Sequence, residues 1–292
     1  MISRPVRLTL AARTLAALSF AAAAAAFPLQ ARAQGQDGAR AGSTAAEAAR
    51  TIRLSYVLFG HGFHVMDVSV EFRLAPQSYS MRLNDHTVGL LGFMAHTDVT
   101  STATGRFVPG GVQPVHFESS GFSRGAQRDT VLDYVDGNPV VRVLTPREPR
   151  RDPVDPARTR GSIDTLSAMA DMVHLVQEGG RCDGRALVFD GLRLSQVSSQ
   201  TAGQQVVPPD SRSPYGGPAL RCDFVSLEVG GFLHNADEAR MRKPQHGSAW
   251  VEPVVQGAPQ LPVRITFEHP ALGQATMFLT KVEEIPASPT GG

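Results

Sequence analysis

From Thr51 onward the chain reads in twos. Met66, Val68, Val70, Phe72 and Leu74 alternate with Asp67, Ser69, Glu71 and Arg73, as in a half-buried strand with one wet face. Tyr79, Met81 and Leu83 repeat the pattern after Ala75-Pro76-Gln77, so the two segments predict a hairpin. Further strands are predicted over 99–104, 115–117 and 128–135. Asp136-Gly137 then turns the chain into 140–144, because a two-residue hairpin turn wants residues that tolerate positive φ. Residues 145–161 carry four prolines among many charges and predict a loop crossing the surface.

Here the period changes from two to that of a helix. Ile163, Leu166, Met169, Ala170, Val173 and Val176 share one face, predicting a helix over about 163–178. Ser162 or Asp164 can cap its start, and Gly179-Gly180 stops its end. Strands resume at 186–189 and 192–197 around Asp190-Gly191. A Pro/Gly/Ser loop spans 207–218, and a strand pair is expected within 220–229. Val263, Ile265 and Phe267, followed by Ala275, Met277 and Leu279, make the last hairpin. Short-turned alternating strands mean a curved antiparallel sheet. The expected fold is mainly β: an open or incomplete barrel with one central helix covering or plugging it.

The first residues obey another logic. Arg4, Arg7 and Arg13 form a basic start, residues 15–27 an apolar run, and Ala31-Arg32-Ala33 a small-x-small cleavage pattern. An apolar run of 13 residues falls short of the roughly 20 that a membrane-spanning helix needs. We expect a secretory signal over 1–33 cleaved before Gln34, a flexible leader over 34–50, one β-rich domain over 51–284 and a loose tail over 285–292. Nothing later in the mature chain predicts a transmembrane segment.

Removing 33 of the 292 residues leaves 259, and removing four arginines from a net charge of +1 leaves −3. A slightly acidic chain without a basic stripe gives nucleic acid no electrostatic footing. In an exported chain, two cysteines in like settings (Arg-Cys-Asp at Cys182 and at Cys222) favour a disulfide, expected to stabilise the fold by roughly 4 kcal/mol in the chain-entropy model. The exported state places the protein in an oxidising compartment, a periplasm.

Catalytic and metal motifs are few. Gly121-Phe122-Ser123-Arg124-Gly125 matches the GxSxG elbow, whose chemistry needs a strand turning into a helix; a strand is predicted next instead. Ser123 therefore stands as the minor, hydrolase alternative. His61 and His64 flank Gly62 at a turn and His96 and Asp98 could share a strand face, but neither set has the third ligand that zinc requires. His174 and Asp171 are spaced as a helix-surface pair or to face a cavity. Asp152, Asp155 and Asp164 lack the glycine and closing glutamate of a calcium loop. Asp129 and Asp133 could share a strand face, without the setting of a sugar-cleaving pair. No catalytic residue, metal ligand or cofactor is expected, and no binding residue is nameable.

CDGRALVFDGLRLSQV (182–197), GPALRCDF (217–224), and Trp250 ahead of VRITFEHPALGQATMFLTKVE resemble the family catalogued as domain of unknown function 3108. LSYVLFG and SIDTLSAM fit that family's first strand and short helix, and the likeness spans about 52–283. The resemblance implies an exported protein of a Gram-negative envelope, distantly like curved-sheet periplasmic proteins that carry or sense lipids. Fold analogy does not fix function. The expectation is a non-catalytic protein binding an apolar, lipid-like ligand or supporting envelope integrity. The alternative is an interaction scaffold with a filled core and a protein partner in the envelope.

Overall fold

The computed structural model describes residues 50–89, 92, 95–234, 237–269 and 272–285. The expected signal, the tail from residue 286 and all of the expected leader except Arg50 lie outside them. Arg50 itself opens the first strand.

Thirteen strands form one antiparallel sheet: β1 (Arg50–Gly60), β2 (Phe63–Ala75), β3 (Ser78–Thr87), β4 (Asp98–Val108), β5 (Gly111–Ser123), β6 (Ala126–Val135), β7 (Asn138–Thr145), β8 (Gly184–Phe189), β9 (Leu194–Val207), β10 (Gly217–Gly230), β11 (Gln245–Glu252), β12 (Leu261–His269) and β13 (Gly273–Ile285). The helix α1 (Thr165–Gly179) lies between β7 and β8 in sequence, and a one-turn helix α2 (Glu238–Met241) precedes β11. The strand order β7-β6-β5-β4-β3-β2-β1-β13-β12-β11-β10-β9-β8 curls the sheet into a nearly closed barrel, unsealed between β7 and β8. This is the expected incomplete barrel. Pairing of β1 with β13 joins the first and last of these strands in mid-sheet.

The register explains where the core sits. Ile52, Phe72, Met81, Ala103, Phe117 and Leu132 stand opposite one another across β1 to β6 as one continuous rib, every member buried. Residues two apart share a face, so a second rib runs Leu54, Val70, Leu83, Ser101, Ser119, Thr130 and a third Tyr56, Val68, Asp85, Val99, Gly121, Arg128. Leu166, Ala170 and Val173 of α1 are buried in the cluster built on the first rib.

The expected helix is present: of its two candidate caps Asp164 is the one used, Thr165 is its first residue, and Gly180 beyond Gly179 is left-handed at φ 62°. Two expectations need correction. Residues 220–229 belong to one long strand, β10, and not to a pair. The loop at 145–161 does not lie wholly in solvent: Arg151 is buried, donating to the Gly231 carbonyl, because its backbone bridges Leu233 as the loop crosses towards the far strands. In addition, the sequence pattern did not show β11.

Candidate functional site

The site is organised by α1. Asp164 is buried and accepts from the Ser167 amide (2.8 Å), the Ser167 hydroxyl (2.6 Å) and the Tyr134 hydroxyl (3.2 Å). Tyr79 donates in turn to Ser167 Oγ at 2.7 Å. This network caps the helix and pins its first turn to β3 and β6. Burial pushes the Asp164 carboxyl above its ordinary range, with the bonds from Ser167 and Tyr134 opposing it. Burial likewise raises the Tyr79 phenol, so Tyr79 remains a donor.

Around α1 the barrel wall is uneven. Opposite β8 to β10 the ribs are Ala186, Val197, Ser226 and Gly184, Ser199, Phe224, mostly small side chains. Between them and Thr165, Ala168, Met169, Met172 and Leu175 of the helix lies a cavity of about 270 Å³, whose charged lining residues are Asp171 and Arg185. Burial raises the Asp171 carboxyl above its ordinary range, with His174 opposing, and its Oδ1 is buried without a hydrogen-bond partner.

A second cavity of about 270 Å³ sits at the N-terminal end of α1 and shares Thr165 with the first. Its walls are Leu83, Val99, Phe117, Leu166 and Leu192, with the hydroxyls of Ser101, Ser119 and Thr130. Arg124, Arg128 and Arg193 also line it, as does Asp190. Arg128 contacts Glu148 at 2.5 Å and donates to the Ser123 carbonyl at 3.0 Å. Arg193 pairs with Asp190 at 2.7 Å, whereas Arg124 approaches Glu148 only to 3.8 Å. Burial, followed by Arg193 and Arg128, pushes the Arg124 guanidinium below its ordinary value.

Beyond the far end of the helix, Cys182 and Cys222 form a disulfide with S–S 2.09 Å and Cα–Cα 6.0 Å. It is buried with Val176, Leu220 and Val251, so it ties β10 to the segment leaving α1. A larger, polar groove of about 780 Å³ runs across β8 to β13, lined by residues such as Arg221, Asp223, His246 and Ser248.

Of the remaining sequence candidates, Ser123 borders the second cavity and the others scatter. Ser123 closes β5, and the chain turns through Arg124 (φ 50°) and Gly125 (φ 77°) straight into β6. That is a two-residue hairpin turn with both central residues at positive φ; the strand-to-helix elbow is not there. The first glycine of the motif also has a packing reason: a Cβ on Gly121 would stand 2.2 Å from the Asp98 carbonyl oxygen.

His64 contacts Asp67 at 2.6 Å, while His96 precedes β4 and tilts against Phe122. His174 stacks on Phe107 and approaches Glu178 at 3.3 Å. Asp152 pairs with His234, Asp155 caps a 3-10 turn, Asp129 accepts from Ser120, and Asp133 pairs with His116 and Arg142. Among the described residues no three His, Cys, Asp or Glu side chains gather where they could hold a metal ion.

The family model described as "Protein of unknown function (DUF3108)" matches residues 51–280. The chain belongs to the DUF3108 family. A solved structure similar to this DUF3108 chain is a beta-barrel-like protein of domain of unknown function DUF1849 from Brucella abortus, 12% identical, covering 82% of this chain and 99% of that one at a TM-score of 0.47. No curated protein matches the chain. No helix among the described residues is long and apolar enough to cross a membrane.

Reasoning from sequence alone missed the arginine-lined cavity. Its charges come from β5–β6, from the loop after β7 and from the β8–β9 turn, and only strand register brings them together. The available signals were Arg128 on the alternation of β6 and the Ser123-Arg124 pair of the hairpin turn before it.

Proposed function

We propose that this DUF3108 chain is an exported, non-catalytic binding protein of the periplasm that holds an apolar, lipid-like ligand beside α1. The observation that carries the reading is the cavity between α1 and the small-residue ribs of β8 to β10. Small-molecule sites are concave, mostly apolar and supplied with a few polar groups. At about 270 Å³ this cavity lies near the lower bound of such sites, and a second of the same volume also borders Thr165. The signal pattern over 1–33 and the disulfide support an oxidising compartment.

The test is native mass spectrometry of the chain expressed into a periplasm and purified without detergent. A reproducible extra mass that extracts into organic solvent is the expected result. Ala168→Leu, which fills the cavity from the helix side, should abolish that mass while changing stability by no more than ~0.5–2 kcal/mol in the favourable direction. A clean apoprotein mass, with Ala168→Leu merely more stable, overturns the carrier reading.

A second reading rests on β7. It ends the sheet, and Val141 and Val143 remain 41% and 39% exposed on it. An unprotected edge of this kind invites pairing with another chain, so a protein-interaction scaffold is the reading that a clean apoprotein mass would favour.

A further inference from the structure

We infer that the cavity at the N-terminal end of α1 selects an anionic headgroup, carboxylate or phosphate, on a single apolar chain. The inference rests on the carrier reading above and names the class of ligand. Three observations carry it. First, the inner face of β1 to β6 grades in polarity: the first rib is wholly apolar, the second ends in Ser101, Ser119 and Thr130, and the third ends at Arg128. A head at the polar end would meet Arg128 and these hydroxyls, with the tail against Leu83, Val99, Phe117 and Leu192 of the same cavity.

Second, cations outnumber anions at the polar end. Arg124, Arg128 and Arg193 line the cavity, against Asp190, which pairs with Arg193, and Glu148, which pairs with Arg128 and stands 3.8 Å from Arg124. One positive charge is left over. Third, that surplus falls where a ligand can reach it. Arg124 is 53% exposed at the side chain and has the longest of these ion pairs, at 3.8 Å to Glu148. Burial and then its like-charged neighbours depress its guanidinium, and an incoming anion would offset the repulsion. The helix end itself is not the anion partner, because Asp164 occupies the Ser167 amide. Planar guanidiniums suit both headgroups, which accept paired N–H donors.

Decanoate, decyl phosphate and decanol, equal in chain length, are titrated calorimetrically into the delipidated full chain, its Arg124→Gln variant and its Arg193→Gln variant. Both anions should bind roughly tenfold or more tightly than decanol, as expected for one charge-assisted contact. Each variant should lose about that factor for the anions and leave decanol unchanged. A further gain for decyl phosphate over decanoate would assign a phosphate head, and parity a carboxylate. Decanol binding as tightly as the anions, or anion affinity unmoved in both variants, overturns the inference while the carrier reading stands. Failure of all three ligands to bind removes both.

Discussion

The two walls that face α1 are made of the same element, an antiparallel ribbon of alternating residues, and yet they treat the helix differently. On the β1 to β6 side, Phe72 and Met81 pack in one cluster with Ala170 and Val173, and space opens only at the N-terminal end of the helix, beside Phe117 and Leu166. On the β8 to β10 side the facing positions are Gly184, Ala186, Val197, Ser199 and Ser226, and space remains. Backbone geometry is common to both, so side-chain volume decides where along each wall there is core and where there is space. A fold of this kind can acquire a ligand by shrinking one rib, with no change of topology.

One substitution on each wall tests the difference in packing most directly. Phe72→Ala removes a fully buried ring from the packed rib and should cost about 3–5 kcal/mol in urea unfolding. Phe224→Ala removes the same ring from the roomy wall, where Phe224 is only half-buried and borders the cavity, and should cost about 1–2 kcal/mol. Equal losses would mean that the second wall is as closely packed as the first.

The next effect concerns how the roomy wall is held in place without large side chains. The disulfide closes a separation of 40 residues between the exit of α1 and β10. Reduction, or Cys222→Ala, should lower stability by about 2–4 kcal/mol. The oxidised and reduced proteins should therefore melt several degrees apart, and coincident melting would show that β8 to β10 stand without the bridge.

The packed wall was the more legible in sequence, for a physical reason. Its strands are wet on one side, so Met66 to Leu74 and Tyr79 to Leu83 alternate cleanly, and α1 shows its apolar face and its caps. β11 is buried on both faces over Ser248, Ala249, Trp250 and Val251: Ala249 pairs with Cys222 on the helix side, while the Arg221 and Arg264 guanidiniums lie over Trp250. Two buried faces erase the alternation. β10 read as two strands for a related reason, since its register shifts between Arg221 and Cys222 against β9. The arginine-lined cavity was illegible because Arg128, Glu148 and Arg193 belong to segments far apart in sequence.

The smallest predicted effect sharpens the contrast from inside the packed wall. Asp85 lies on the third rib, between Val68 and Val99, where its neighbours are otherwise built for burial. Burial, then repulsion from Asp98, pushes its carboxyl up to about 6, against a partial offset from His86. Because the folded state holds that proton more tightly than the unfolded chain, linkage makes the folded protein lose stability as pH rises from about 4 to 6. The full shift would amount to ~3 kcal/mol, but Asp85 is only partly buried, and solvent screening brings the expected value nearer ~1 kcal/mol. Asp85→Asn should therefore gain about 1 kcal/mol at pH 7, gain nothing at pH 4, and flatten the stability profile between them. A carboxylate retained at a stability cost on the better-packed wall, on the rib that ends at Arg128, would show that polarity at this end of the barrel is kept for something other than folding. A profile unchanged by Asp85→Asn would leave the packed wall indifferent to that charge and return the whole contrast between the walls to side-chain volume.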